Sequence, residues 1–340
     1  MQHTRTSSDF TKEMGMTTDE HYQYKSLDST KIDAERYAWA AYYLFVIISS
    51  LVGDTTILIA SLKYRVFNLH KVIVVTIQHI AFCDQMVTVT GVVPNFVSLL
   101  SNGWMFGNYL CYQTTYSLYY FPAANMFLIC NMTISKLIIL KYPFRYRAAS
   151  VKKAHMICGS CWVAALIIPV TGLLDDEDIY FSYLNYRCDY GSTSNIWDWL
   201  GPLLVVVFLF APNCLVVATT VHLLIIAKQV ARRGRESLKW QGIMTTVLTA
   251  SVYCISILPF IVYGVGKNVV KVDDESSSFF HTSFGRITFS FTLLNTISNF
   301  YIYSLSVQSF RQFIFSRIQL AYQIFISIGT AASHGKVVVF

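Results

Sequence analysis

The chain has 340 residues, of which 54% are hydrophobic and 13% charged, about half the charged share of a soluble globular domain. That much apolar surface cannot be covered in water, and the formal charge of +7 is no nucleic-acid footprint, because the basic residues stand in short clusters between apolar runs and not in one solvated patch. Eight cysteines without close pairing argue against a zinc module or a dense disulfide framework.

Residues 1–36 are polar and hold no apolar signal-peptide core, so the first helix is expected to act as its own insertion signal. A bilayer core about 30 Å thick takes roughly 20 apolar residues per helix. Seven such runs follow, near Tyr37–Leu62, Val72–Leu100, Leu110–Leu140, Ala154–Leu174, Trp197–Ile226, Gly242–Val265 and Phe280–Ser306. Beyond them, Val307–Gln319 mixes Phe310, Phe313, Phe315 and Ile318 with Arg311 and Arg317, a composition suited to lying along a membrane surface. Leu320–Phe340 is apolar for a tail and is open to reading as a continuation of that helix. The expected fold is an all-α membrane protein, a seven-transmembrane helix bundle over 37–306 with a short amphipathic surface helix after helix seven, in the segment 307–340. No internal repeat is visible.

Orientation follows from charge by side. The connections after helices one, three and five, with the C-terminal tail, carry seventeen basic residues against one acid, Glu236, whereas the opposite side carries nine basic residues and sixteen acids. The basic side is expected to be cytosolic, which puts the N-terminus outside in a multi-pass protein of the plasma membrane.

Among single residues, Asp84 lies near the middle of an apolar run, where an isolated charge costs several kcal/mol and polar partners inside the bundle are expected. A plain packing role, with Asp84 protonated or hydrogen-bonded, is the competing reading. Cys111 and Cys188 both fall on the oxidising side, where either a bridge or two free thiols fits. The other six cysteines fall within spans and read as small apolar filler. Nothing has the pattern of a catalytic constellation, so no enzyme activity is expected.

Taken in order, the helices resemble the rhodopsin-like (class A) family of G-protein-coupled receptors. Gly53-Asp54 resembles the family's Gly-Asn pair, and Ile80-Ala81-Phe82-Cys83-Asp84 its Leu-Ala-x-x-Asp. Trp104-Met105-Phe106-Gly107 with Cys111 is similar to its first outer loop and the top of helix three. Lys141-Tyr142-Pro143-Phe144-Arg145-Tyr146-Arg147 resembles the stretch after its Asp-Arg-Tyr. Trp162, Pro212 and Pro259 fit its tryptophan in helix four and its prolines in helices five and six. Asn299-Phe300-Tyr301-Ile302-Tyr303, with Phe310, resembles Asn-Pro-x-x-Tyr and the surface helix behind it. Each mark alone is weak, and their shared order and spacing carries the likeness.

The resemblance implies a Cys111–Cys188 bridge and a sodium ion as the only cofactor, held by Asp84 with Asn125, Asn295 and Asn299. Asp54 departs from the usual asparagine, and two acids in one pocket repel when both are ionised, so one is expected neutral or the two share a cation. The intracellular switch would be Ser135, Lys136 and Tyr303, with Ser135-Lys136-Leu137 standing where the family has Asp-Arg-Tyr. Lysine is a point charge where arginine is a planar fork. Ile257, Thr220 and Phe300 also replace the family's tryptophan, tyrosine and proline, and without proline helix seven keeps a backbone hydrogen bond and is stiffer. Leu118 stands where amine receptors carry aspartate, and Leu293 where light receptors carry the retinal lysine.

The expected ligand wall is Gln113, Leu118, Tyr119, Phe260, Tyr263, Arg286 and Phe289, a wide cleft better suited to a peptide than to a small amine. Acids at Asp175, Asp176, Glu177, Asp178 and Asp189, and at Asp273, Asp274 and Glu275, either steer a basic ligand or are ordinary solvated loops. Expected partners are an extracellular peptide ligand, such as a neuropeptide, a heterotrimeric G-protein on the cytosolic face, and membrane lipids, with no nucleic acid. The basic group Arg232, Arg233 and Arg235 would face that cytosolic partner or anionic lipid. The competing classes are a divergent chemosensory or weakly signalling receptor, an ion-coupled transporter using Asp54 and Asp84 as its path, and a structural membrane protein. The last leaves the Asp84 cluster without a purpose.

Overall fold

The computed structural model describes residues 29–62, 66–67, 69–142, 150–167, 179–182, 187–190, 210–232, 237–269 and 284–333. Helix α1 runs Ser29–Ser61, α2 Lys71–Ser101, α3 Gly107–Lys141 and α4 Val151–Ala165. A hairpin of β1 (Ile179–Ser182) and β2 (Arg187–Tyr190) follows, pairing Phe181 with Cys188. Then come α5 (Ala211–Arg232), α6 (Ser237–Val269), α7 (Gly285–Ser306) and α8 (Gln308–Ser333). The acids at 175–178 and 273–275, Arg233, Arg235, and the expected limits of spans four and five at Leu174 and Trp197 lie outside the described residues.

Five of these helices, α1, α2, α3, α5 and α6, hold stretches long and apolar enough to cross a membrane. The helices close into a ring in which α1 packs on α2, α5 on α6, α6 on α7 and α7 on α1, while α3 runs inside against α2, α4, α5, α6 and the hairpin. Such a position buries most of one helix, and α3 carries accordingly buried residues along its whole length, from Cys111 to Lys136. Outward-facing apolar side chains such as Phe45, Ile48, Val163, Val217 and Ile255 stay exposed, as a bilayer rather than water requires.

Local chemistry sets the element ends. His70 caps α2 by accepting from the Val72 amide, and Ser150 caps α4 by accepting from Lys153, each satisfying a donor that a helix start leaves over. Asn102 adopts a left-handed backbone at the end of α2, and Gly107 opens α3 at φ +74°, a conformation glycine takes without penalty. Within α2 the turn Thr88–Val92 is π-helical and precedes Pro94, whose missing amide the loosened turn accommodates.

Two close contacts explain glycines. A β-carbon on Gly53 would lie 2.7 Å from Phe300 Cβ, and one on Gly91 would lie 2.4 Å from Leu118 Cδ2, so α1 meets α7, and α2 meets α3, at distances only glycine permits. On the seam of α2 and α4, Trp162 Nε1 donates to His79 Nδ1 at 3.1 Å. An indole N–H is a donor only, so His79 carries its proton on Nε2 and donates it to His155 Nδ1 at 3.0 Å.

The last helix, α8, follows α7 after the single residue Val307 and continues to Ser333. Phe310 is fully buried and stacks on Phe67 at 5.1 Å, anchoring the start of α8 to the bundle. Further along, Phe315, Ile318, Leu320, Tyr322, Ile324 and Ile326 are exposed.

Candidate functional site

At mid-bundle a polar cluster joins four elements. Asn125 Nδ2 on α3 donates to Asp84 Oδ1 at 2.7 Å, and Asn299 Nδ2 on α7 donates to Asp84 Oδ2 at 2.8 Å. Asp54, one helix away, accepts from Ser50 Oγ at 2.7 Å, and Ser50 in turn accepts from Thr88 Oγ1 at 2.8 Å. Both carboxyl groups are buried. The carbonyl oxygens of Asn125, Asn295 and Asn299 are buried with no hydrogen-bond partner. Two carboxyl groups and three unsatisfied amide oxygens form an oxygen-only donor set, the kind a hard cation takes. Of the residues expected around Asp84, Asn125 and Asn299 are bonded to it and Asn295 lines the same cavity, and Ser50 and Thr88 join the cluster as members that sequence reasoning missed. Their positions four residues before Asp54 and four after Asp84 place them on the same helix faces, a spacing from which they were readable.

Beside the cluster a narrow cavity, lined by Asp84, Leu118, Asn125, Ile257, Phe289 and Asn295 among others, leads toward the end of the bundle that carries the hairpin. There Phe260, Tyr263 and Phe289 group together, with Phe260 6.4 Å from Tyr263 and 6.5 Å from Phe289, ring centre to ring centre. Tyr263 packs on Gly285 at the start of α7. Arg286 pairs through Nη1 with Glu35 Oε1 on α1 at 2.5 Å. Leu118 lies lower, on Gly91 and the cavity wall. Tyr119 is half-buried beside it, while Gln113 is exposed near the outer end of α3.

The roof of this region comes from the hairpin. Cys188 is bonded to Cys111, with Cα atoms 5.5 Å apart, which carries Arg187 into the bundle. Arg187 is 4% exposed, and its guanidinium carbon sits 4.5 Å from the centre of the Phe289 ring. Arg187 and Glu35 were missed in the sequence. Arg187 did leave a signal, a basic residue directly beside the bridging cysteine of an otherwise acidic loop.

At the end of the bundle away from the hairpin, Lys136 is 7% exposed and lies against α6, where a β-carbon on Gly242 would come within 2.7 Å of its Nζ and 2.9 Å of Leu69 Cδ2. No carboxylate pairs with it among the described residues. Ser135 Oγ donates to Asn131 Oδ1 at 3.3 Å. Tyr303 is buried, edge-on to Phe67 at 5.7 Å and to Phe310 at 6.4 Å, with its hydroxyl unsatisfied. Ser135, Lys136 and Tyr303 thus share the half of the bundle away from the hairpin without forming one hydrogen-bonded group among the described residues.

The arrangement of helices is that of a seven-helix membrane receptor: the crystal structure of squid rhodopsin matches it with a TM-score of 0.71, over 85% of this chain and 87% of that one, at 14% sequence identity. Residues 53–303 match the model of the 7 transmembrane receptor (rhodopsin family). The chain belongs to that family, whose members are receptors and not enzymes. It is 21% identical to human C-X-C chemokine receptor type 2 over 192 residues, 53% of this chain and 52% of that one. It is also 22% identical to the octopamine receptor beta-2R of Chilo suppressalis over 129 residues, 37% of this chain and 31% of that one. The chain thus spans about half or less of the length of these curated relatives.

Proposed function

We propose that this receptor lies in the plasma membrane with its N-terminus outside, binds an extracellular peptide in the aromatic cleft between α3, α6 and α7, and signals through heterotrimeric G-proteins. The observation that carries the reading is the cavity lined from Phe289 to Asp84, with Asn299 of α7 bonded to Asp84 at 2.8 Å and the buried Tyr303 one turn further along the same helix. A ligand acts by binding one arrangement of this column better than the other, which shifts the population of the cytosolic ends. The peptide assignment draws on the aromatic lining of the cleft and on the likeness to a chemokine receptor. Leu118 in place of an acid on α3 speaks against an amine, notwithstanding the likeness to an octopamine receptor.

Asp84, Asp54 and the three asparagines would hold a sodium ion, and the unsatisfied amide oxygens fit that role. When bound, the ion supplies positive charge that offsets the buried carboxylates. The chain's own part is to hold those oxygens in place through the Ser50, Thr88, Asn125 and Asn299 hydrogen bonds. A second reading, a weakly signalling receptor, is favoured by Lys136 tucked beside Gly242, because a compact ammonium lacks the planar fork that arginine would present.

The test is a peptide library applied to membranes containing the wild-type chain or Lys136→Arg, with nucleotide exchange on added G-proteins as the readout. Exchange by both chains is expected, with the arginine variant stronger. A response confined to the variant would favour the weakly signalling reading. Silence in both, together with ion flux in proteoliposomes, would replace the receptor function with transport.

A further inference from the structure

Asp54 puts a carboxyl group where the family pattern has the amide of asparagine, so the buried cluster holds two acids in place of one. Thr88 Oγ1 donates to Ser50 Oγ at 2.8 Å, which leaves the Ser50 proton for Asp54 Oδ2 at 2.7 Å. Asp84 accepts on both oxygens, from Asn125 Nδ2 at 2.7 Å and from Asn299 Nδ2 at 2.8 Å. In each of these contacts the carboxyl oxygen is the acceptor, the arrangement that an ionised group makes. The two acids lie within electrostatic reach of each other, and no Lys, Arg or His among the described residues acts on either. Both are buried, so their repulsion stands unless a positive charge sits with them.

Room for that charge lies in the cavity beside Asp84. Its oxygen-bearing lining is Asp84, Asn125, Ser256, Thr292, Asn295 and Thr296, and no imidazole or thiol lines it among the described residues. The side-chain carbonyl oxygens of Asn125 and Asn295 are buried with no hydrogen-bond partner. One sodium ion offsets one carboxylate and leaves the other uncompensated, whereas a divalent ion offsets both. Magnesium demands a near-octahedral shell and keeps several of its waters, but calcium accepts about six to eight oxygens in irregular geometry, amide carbonyls included. We infer that the pocket takes a divalent cation of the calcium class, held by Asp84 and the free amide oxygens of Asn125 and Asn295, with Asp54 on α1 supplying the second negative charge. The inference rests on the reading of this cluster as a cation site and changes the ion it prefers, sodium being the weaker competitor for the same oxygens. Calcium affinity follows the charge of the ligand set, so Asp54 decides between the two ions.

The experiment uses the full chain in nanodiscs of neutral phosphatidylcholine, whose headgroups carry no net charge to collect calcium. Thermal unfolding is followed as calcium, magnesium or sodium chloride is added, with choline chloride holding the ionic strength constant. Calcium is expected to raise the unfolding midpoint with an apparent affinity on the order of tenfold above that of sodium, and magnesium to bind more weakly than calcium. Asp54→Asn, which keeps an acceptor for Ser50, is expected to lower the calcium affinity about tenfold and to leave that of sodium within about twofold. Asp84→Asn is expected to abolish stabilisation by both ions, and if that variant does not fold, Asp54→Asn decides alone. Calcium held by acids of the connecting loops would survive Asp54→Asn unchanged, and such survival overturns the inference. Equal affinities for calcium and sodium in the wild type, or magnesium binding the tighter of the two divalent ions, would also overturn it while leaving a cation site in place. No stabilisation by any of the three salts would remove the cation site altogether. Calcium stabilisation without ligand-driven exchange on G-proteins would support the inference and sink only the signalling output.

Discussion

Asp84 draws one hydrogen bond from α3 and one from α7, so each asparagine ties a different helix to α2. Removing one donor leaves a carboxyl oxygen buried without its partner. Asn125→Ala is therefore expected to destabilise the chain by about 1–3 kcal/mol, seen as a lower unfolding midpoint in nanodiscs. Adding Asp84→Asn should recover part of the loss, because paired changes at touching residues are not additive. A loss in the double variant equal to the sum of the two single losses would mean that the two side chains act independently. The acid was legible in the sequence, since a charge deep in an apolar run must find partners. Glu35 with Arg286, and Arg187 with Phe289, were not, because those pairings depend on how far apart in the chain two elements come to rest. Even the reading of Arg286 as a wall residue lacked the partner that the fold supplies from 251 positions away.

Between elements, the closest approaches are made by glycines, and the Gly53–Phe300 contact sets a residue that keeps the family's pattern against one that departs from it. A phenylalanine in place of the family's proline fills the space beside α1, and Gly53 receives it with Cβ-to-Cβ room of only 2.7 Å. Gly53→Val should force these helices apart at an overpacking cost of about 1–3 kcal/mol, whereas Gly53→Val with Phe300→Gly, which removes the β-carbon met first, should regain part of that stability. Thermal unfolding of the two variants decides this, and a single variant as stable as the wild type would contradict the packing account. Helix existence was readable from apolar runs, and the bridge of Cys111 to Cys188 from resemblance. The π-helical turn in α2 was not, because its residues Thr88–Val92 carry no local pattern that separates them from ordinary helix. Nor was the unbroken reach of α8 to Ser333, for which the sequence left both a tail and a continuation open.

Across the whole molecule, the ring of helices surrounds α3, which touches both the hairpin above and α5 and α6 below. An event in the cleft under the hairpin and one at the opposite end of the bundle therefore share a single element. By reciprocity, a partner that binds one end and favours one arrangement would raise the affinity of a ligand at the other end for that same arrangement by an equal factor. The architecture and the family were legible because hydropathy, charge asymmetry and ordered marks report on the bilayer as solvent. The identity of the ligand was not, because it depends on which side chains the loop between α4 and α5 folds inward.

The nest of Lys136 between Gly242 and Leu69 has one further consequence. A resting state latched by opposite charges loosens as mobile ions shield them, but contact between a lysine and a glycine surface owes nothing to such shielding. The spread of conformations at the inner ends of α3 and α6, followed by a fluorophore on α6, should stay nearly constant as potassium chloride is raised through an order of magnitude. A marked opening with ionic strength would reveal an electrostatic clasp on this lysine.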